Sequence, residues 1–342
     1  MAMRFLRAHV ILLLILALLA GARIAAPWVA RGLINGSGGD ASRLRWHVQD
    51  VDIHLWKASY DLKGADLYNR SDTVPVFSAD RITSSLRWQP IFRSAPTMGL
   101  DAYHPQLRIT HDPGTGQRKA RPDWEKILGR ISLFRLSRFG IHGGEVRFRD
   151  HATRPEAELE ARDVDIDAEN LFRGGEDSSR AARLEAKGLL MGSGHFDLRL
   201  RLQPEAARPT FTLDFSLADM ELRTLGTALG AYAGLAVVKG RMDLAAHAAA
   251  AGGRYHGTVR SALHDFEMAA SKPAHDGLVK TLEKKAVRVA GKILQLKTEK
   301  NESEGKRPPK ADFSGDFPES VQGAWSSSGY VLREAFHEAM KP

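Results

Sequence analysis

The sequence predicts a mainly β protein: an elongated, curved antiparallel sheet, drawn out as a groove or as a partly closed sandwich. An N-terminal transmembrane helix and a C-terminal basic amphipathic helix flank it. Three observations carry this prediction. From Arg43 onward the dominant hydrophobic period is two, with one apolar and one charged face per strand. A single long apolar run exists, near the N-terminus. The period changes from two to helical over Asp276 to Thr298. The chain has 342 residues, 43% of them hydrophobic and 26% charged, enough to bury a core and to exclude wholesale disorder. It contains no cysteine, which excludes a disulfide scaffold, a thiolate metal site and a cysteine nucleophile.

Residues 1–31 form the predicted anchor. Val10 to Ala22 is uncharged and almost wholly apolar, and Arg4 and Arg7 precede it. Two readings fit. A cleaved signal peptide matches the small residues Ala20-Gly21-Ala22. An uncleaved span of about 20 residues runs from Ala8 to Ala30, with Arg23 snorkelling and Trp28 at the interface. Both export the remainder, because basic residues at the extreme N-terminus hold that end in the cytoplasm.

Residues 32–271 form the β-rich body. Leu44, Trp46 and Val48 alternate with polar residues, and Val51, Ile53 and Leu55 continue out of phase, so a bulge or change of face falls at Asp50-Val51. Further strands are expected over Ile82 to Trp88, Leu107 to Thr110, Glu145 to Arg149, Leu159 to Ala168, Leu235 to Ala248 (broken at Gly240) and Arg254 to Met268. The clearest pair is His195 to Leu202 and Thr210 to Leu217, joined by the turn-rich Gln203 to Pro209. Phe196, Leu198, Leu200 and Leu202 share one face, and Phe211, Leu213, Phe215 and Leu217 repeat it. Short helices are expected over Asp123 to Leu136 and Leu222 to Leu229. A dozen strands at about 4.8 Å spacing would run roughly 60 Å, and so long an apolar face must close, fold on itself or hold something apolar.

Residues 272–310 comprise the basic helix and a polar linker. Leu278, Leu282, Ala286, Val289, Ile293 and Leu296 fall in one helical stripe, opposite Lys280, Lys284, Arg288 and Lys292. Eleven basic against five acidic residues between Lys272 and Lys310 supply six of the chain's net charge of +8. The stripe suits packing on the sheet with a solvated lysine face, or contact of the four cations with lipid headgroups. Residues 311–342 hold a last strand, around Ser314 to Phe317, and a short helix over Tyr330 to Met340.

No catalytic, cofactor or metal motif emerges. His104, His111 and His142 have no ligand spacing, and Asp163, Asp165 and Asp167 interleave with apolar residues as the wet face of a strand. Gly114 to Lys119 lacks the phosphate-loop pattern and reads as a hairpin loop. The chain reads as a non-enzyme without a cofactor. Nucleic acid is not an expected partner, because no aromatic platform accompanies the basic stretch.

Several segments together resemble the AsmA-like family, in its domain-of-unknown-function subgroup from Gram-negative envelopes. They are Phe139 to Asp150 (FGIHGGEVRFRD) followed by Val164 to Leu171, Tyr232 to Leu244 leading into Gly257 to Val259, and Ala311 to Phe317 with Val331 to Phe336. The resemblance implies an uncleaved inner-membrane anchor, a periplasmic body, and support of envelope lipid transport or outer-membrane homeostasis, with phospholipid, the inner membrane and other envelope proteins as partners. It tips the N-terminus toward the anchor reading. Under that reading Phe196, Leu198, Leu200, Leu202, Phe211, Leu213, Phe215 and Leu217 line or flank a lipid groove, and Lys280, Lys284, Arg288 and Lys292 meet headgroups. The alternative is a non-enzymatic anchored scaffold or assembly factor, in which the same apolar residues are closed core.

Overall fold

The computed structural model describes residues 25–36, 44–54, 57–69, 72–87, 97–111, 135–170, 181–203, 206, 208–233, 236–268, 296, 298–301, 303, 308–318, 321 and 324–339. The apolar run Val10–Ala22, most of the expected helix Asp123–Leu136, the loop Gly114–Lys119 and the cations Lys280, Lys284, Arg288 and Lys292 lie outside them. Among the described residues no helix is long and apolar enough to cross a membrane.

One sheet of thirteen strands organises these residues. In chain order the strands are β1 (Leu44–His54), β2 (Ser59–Asn69), β3 (Phe77–Arg87), β4 (Thr97–Tyr103), β5 (Gln106–His111), β6 (Arg135–Asp150) and β7 (Ala157–Glu169). Then come β8 (Ala182–Leu190), β9 (Gly194–Leu202), β10 (Phe211–Glu221), β11 (Val237–Ala251), β12 (Arg254–Met268) and β13 (Lys310–Asp316). The strands lie side by side almost in chain order. Most neighbours are antiparallel hairpin partners, as the sequence pattern predicts. β4 and β5 are the exception, because both run parallel to β6. A corner at His104-Pro105 separates them, and together they flank the sixteen residues of β6, β4 along its first part and β5 along its second. Twelve side-by-side positions at about 4.8 Å make the sheet roughly 50 Å long, somewhat under the length expected from sequence.

The break in alternation expected at Asp50-Val51 is present as a local irregularity, not a change of face, because Trp46, Val48, Val51 and Ile53 all pack in one cluster. Val48 and Val51 are both buried despite their odd spacing, and Gly64 on β2 sits at φ +55 beside Gln49. Similar breaks recur at Gly143 and Asp163 between β6 and β7, and at Asp219 and Gly240 between β10 and β11, each with positive φ and a register shift. Such bulges raise local twist and bend long strands, which curves a sheet of this width.

Two packed clusters cover the two ends of the apolar face. At the start, Val48, Val51, Ala65, Ala79, Ile82 and Ala102 pack with Ala30 and Ile34 of an N-terminal helix over 25–36. At the far end the C-terminal helix Ala324–Ala339 lies across β10 to β13. Val331, Ala335 and Ala339, one turn apart, enter a core that includes Leu244, Ala246, Ala248, Ala250, Val259 and Leu263. The alanine row on β11 leaves room for that close approach, and the Ser261 hydroxyl donates to the Ala339 carbonyl (3.3 Å). An aromatic group of Tyr255, Phe313, Phe317 and Tyr330, with ring centroids 5.2–6.3 Å apart, holds the helix start. Burial there, with Tyr330 adding to it, pushes the Tyr255 hydroxyl up to about 12.

Three cross-strand pairs set a glycine beneath an aromatic ring: Gly188 under Phe196, Gly257 under Phe313 and Gly315 under Tyr255. At Gly257 an added Cβ would lie 2.5 Å from the Phe313 ring and 2.6 Å from the His247 carbonyl. The carbonyl is backbone and cannot move aside. Gly257→Val is therefore expected to cost about 1–3 kcal/mol, read as a lower urea midpoint, with Gly252→Val in the neighbouring turn as a strain control (φ +62, open space).

Candidate functional site

The eight groove residues chosen from sequence stand where the hairpin argument puts them, on one face and in register. Leu202 faces Phe211, Leu200 faces Leu213, Leu198 faces Phe215 and Phe196 faces Leu217. Leu200, Leu202, Phe211, Leu213 and Leu217 are each 3% exposed or less and belong to the closed far-end core. Phe196, Leu198 and Phe215 are half-buried and pack against its margin. The C-terminal helix and the Phe317 segment dock onto β10 to β13, and this seals the region that sequence alone leaves open. Five of the eight are thus core side chains, not the lining of an open groove.

The apolar face continues beyond that margin through β7, β6 and β5. Ile166 faces Ile141, Leu159 faces Phe148, and Ile109 lies beside Phe148 on the other flank. With Val146 these large side chains are half-buried and belong to neither packed cluster. On β7 the buried Val164 lies between Leu159 and Ile166, and the fully buried Ala157 and Ala168 flank them at the strand ends. The candidate site is this middle stretch: a row of Leu, Ile and Phe side chains on rigid strands between two filled ends, with the helical segment Gly226–Ala228 and Leu229–Ala233 against β7. Such a row offers burial of apolar surface, at about 0.8 kcal/mol per methylene covered.

The opposite face is charged and internally neutralised. Arg147 bonds Glu160 (2.8 Å), Arg149 bonds Glu158 (2.9 Å) and Arg138 bonds Asp167 (3.0 Å). Partial burial pushes the Glu160 carboxyl up, but Arg162 and Arg147 outweigh it and hold the group below its usual range. Asp163, Asp165 and Asp167 fall on this face as expected for a strand. Asp165 accepts from the Gly143 amide (3.0 Å) and lies 3.6 Å from the Lys187 ammonium, while Asp163 is the exposed residue of the bulge. His104 and His142 each pair with an aspartate, namely Asp80 (3.0 Å) and Asp101 (3.2 Å), whereas His111 pairs with the buried Asp150 (2.8 Å) at the end of the face that carries Ile109 and Phe148. His142 lies within β6, partly exposed, and stacks on Tyr103. A depression of about 360 Å³ on this face is lined by Asp197, Arg199, Asp214, Ser216, His247 and Arg260. His247 Nδ1 lies 2.6 Å from Asp214 across β10 and β11, and Arg199 lies 3.3 Å from Asp197 along β9, so its walls are polar pairs open to water. Among the described residues no three histidine or acidic side chains converge as a metal site would require.

No family model matches the chain, and no curated protein matches it significantly.

Of the basic helix, only the C-terminal end is described. Thr298 is buried and its hydroxyl accepts from the Leu263 amide (3.3 Å), which ties that end to β12, while Leu296 of the expected apolar stripe is 55% exposed. Phe148 and Ile166 are not among the residues that the hairpin pattern marks for a groove. Their strands are legible from alternation, but the signal that separates an open from a closed stretch is where the terminal helices dock, and alternation does not carry it.

Proposed function

We propose that this chain is a non-enzymatic, membrane-tethered protein that shelters phospholipid acyl chains on the middle of its apolar sheet face, in support of envelope lipid transport or outer-membrane homeostasis. The observation that carries the proposal is the half-buried row Ile109, Ile141, Val146, Phe148, Leu159 and Ile166, which lies between two filled clusters on one continuous face. Apolar surface of this kind, set in rigid strands, calls for an apolar occupant. The apolar run Val10–Ala22 supports the tether, with the body on the exported side of an inner membrane. The AsmA-like resemblance supports the same reading. A sheet of roughly 50 Å suits a local role at one membrane, or one segment of a longer path completed by envelope partners.

The scaffold reading has its own support. The far end of the sheet is closed core, a rigid body of the kind an assembly factor presents.

Native mass spectrometry of the full chain, purified in a mild detergent, separates the two. The lipid reading predicts phospholipid retained in fixed ratio to protein after extensive washing. A chain that keeps its fold and carries no phospholipid would overturn it and leave the scaffold.

A further inference from the structure

The N-terminal helix over 25–36 is apolar on both sides. At about 100° per residue, Ala26, Ala30 and Ile34 fall on one side, and Ala30 and Ile34 pack on the start of the sheet. The other side carries Ala25, Trp28, Val29, Gly32, Leu33 and Gly36. Trp28 is 75% exposed, Leu33 69% and Val29 58%, so three of the six exposed large apolar side chains among the described residues stand on this one helix. Its one charged residue, Arg31, lies between the two sides. A helix docked on a soluble sheet normally turns a polar face outward, and one apolar all round requires an apolar medium on its second side.

The helix is also clamped to the sheet edge. The Asn35 side-chain amide donates to the Val48 carbonyl (3.1 Å) and accepts from the Val48 amide (2.7 Å). It thereby copies the double hydrogen bond of a neighbouring strand on β1, the first strand of the sheet. An edge strand left open invites pairing with another chain, and a side-chain amide in that place closes it.

We infer that the outer side of this helix is seated in the apolar–polar boundary of a phospholipid bilayer, and that Asn35 fixes the β1 edge of the sheet against that membrane. The chain outside the described residues favours this occupant over a protein: the apolar run Val10–Ala22 ends three residues before the described part of the helix. Tryptophan with small and aliphatic neighbours and a flanking arginine suits a helix lying at the interface. The body is then held at a set orientation by a docked helix, not suspended from a loose linker. This inference rests on the membrane tether of the proposed function, but not on its acyl-chain site.

The absence of cysteine makes the test clean. Leu33→Cys, and Val238→Cys on the distant β11 as a water-exposed control, are labelled with an environment-sensitive fluorophore in the full chain. Both are reconstituted into vesicles of phosphatidylethanolamine and phosphatidylglycerol. Expected at position 33 are blue-shifted emission, quenching by spin-labelled lipid and loss of quenching by aqueous iodide, with the reverse at position 238. Iodide quenching at position 33 equal to that at 238 overturns the inference. Blue-shifted emission untouched by spin-labelled lipid also overturns it, because a protein then covers the helix. A chain that fails to float with the vesicles overturns both the inference and the tether. Flotation with an aqueous Leu33 label sinks the inference alone.

Discussion

Replacing Leu200 by glutamate is expected to unfold the far end of the sheet at neutral pH. Leu200 is 3% exposed and sits between Leu184 on β8 and Leu213 on β10, inside the core shared with the C-terminal helix. The exchange removes about 1.5–3 kcal/mol of side-chain burial. It also places a carboxylate among apolar neighbours, which costs several kcal/mol more. The sum approaches the 5–15 kcal/mol that typically holds a whole domain together. The buried carboxyl would have a raised pKa, so acidification through the ordinary glutamate range neutralises it and restores part of the loss. Urea unfolding and amide exchange over β8 to β10 read the effect. Arg201→Glu, one residue along on the charged face and opposite Arg183, should change stability by no more than about 0.5 kcal/mol. A Leu200→Glu protein of ordinary stability would mean that this end is open to water.

Phe148→Glu is expected to spare the fold and abolish lipid retention. Phe148 is half-buried, faces Leu159, and lies outside both packed clusters. Its partial burial is worth about 1–2 kcal/mol, and the new carboxylate can reach water, so the desolvation cost that operates at Leu200 is avoided. A charge in the middle of the row, however, denies an acyl chain a continuous apolar floor. Phospholipid per chain, read by mass spectrometry, should fall from a fixed ratio to background while the urea midpoint moves modestly. Unchanged lipid would remove the middle stretch from the account.

The contrast between these two leucine- and phenylalanine-bearing strands shows how far the sequence can be read. The hairpin β9–β10 was legible to the register, because eight large apolar residues alternate cleanly with charges on both sides of a turn. β12, predicted over Arg254 to Met268, has those same bounds, and the odd spacing of Val48 and Val51 marked a real irregularity that keeps both on one buried face. β8 was not legible. Its ARLEAKGLL alternates, but through alanine and glycine, and its Ala, Glu, Leu and Lys are helix formers; cross-strand pairing overrides that preference. β2 and β4 were missed where glycine or a polar residue interrupts the pattern, at Lys63-Gly64 and Gly99. Parallel pairing of β4 and β5 with β6 is a tertiary outcome that no local pattern states. The site followed the same rule. Alternation identified the apolar face along its length, but not which part of it is filled, because that depends on where Val331, Ala335 and Ile34 dock from segments remote in sequence.

The claim that the middle of the apolar face meets acyl chains is tested most directly by photo-crosslinking in a membrane. The photoreactive residue p-benzoylphenylalanine is placed at Phe148, and separately at Arg147, which is adjacent in sequence and on the charged face beside Glu160. Both full-length proteins are irradiated in the membranes of producing cells and weighed intact. The account predicts a phospholipid-mass adduct at position 148 and none at 147. No adduct at 148, or equal adducts at both, would contradict it.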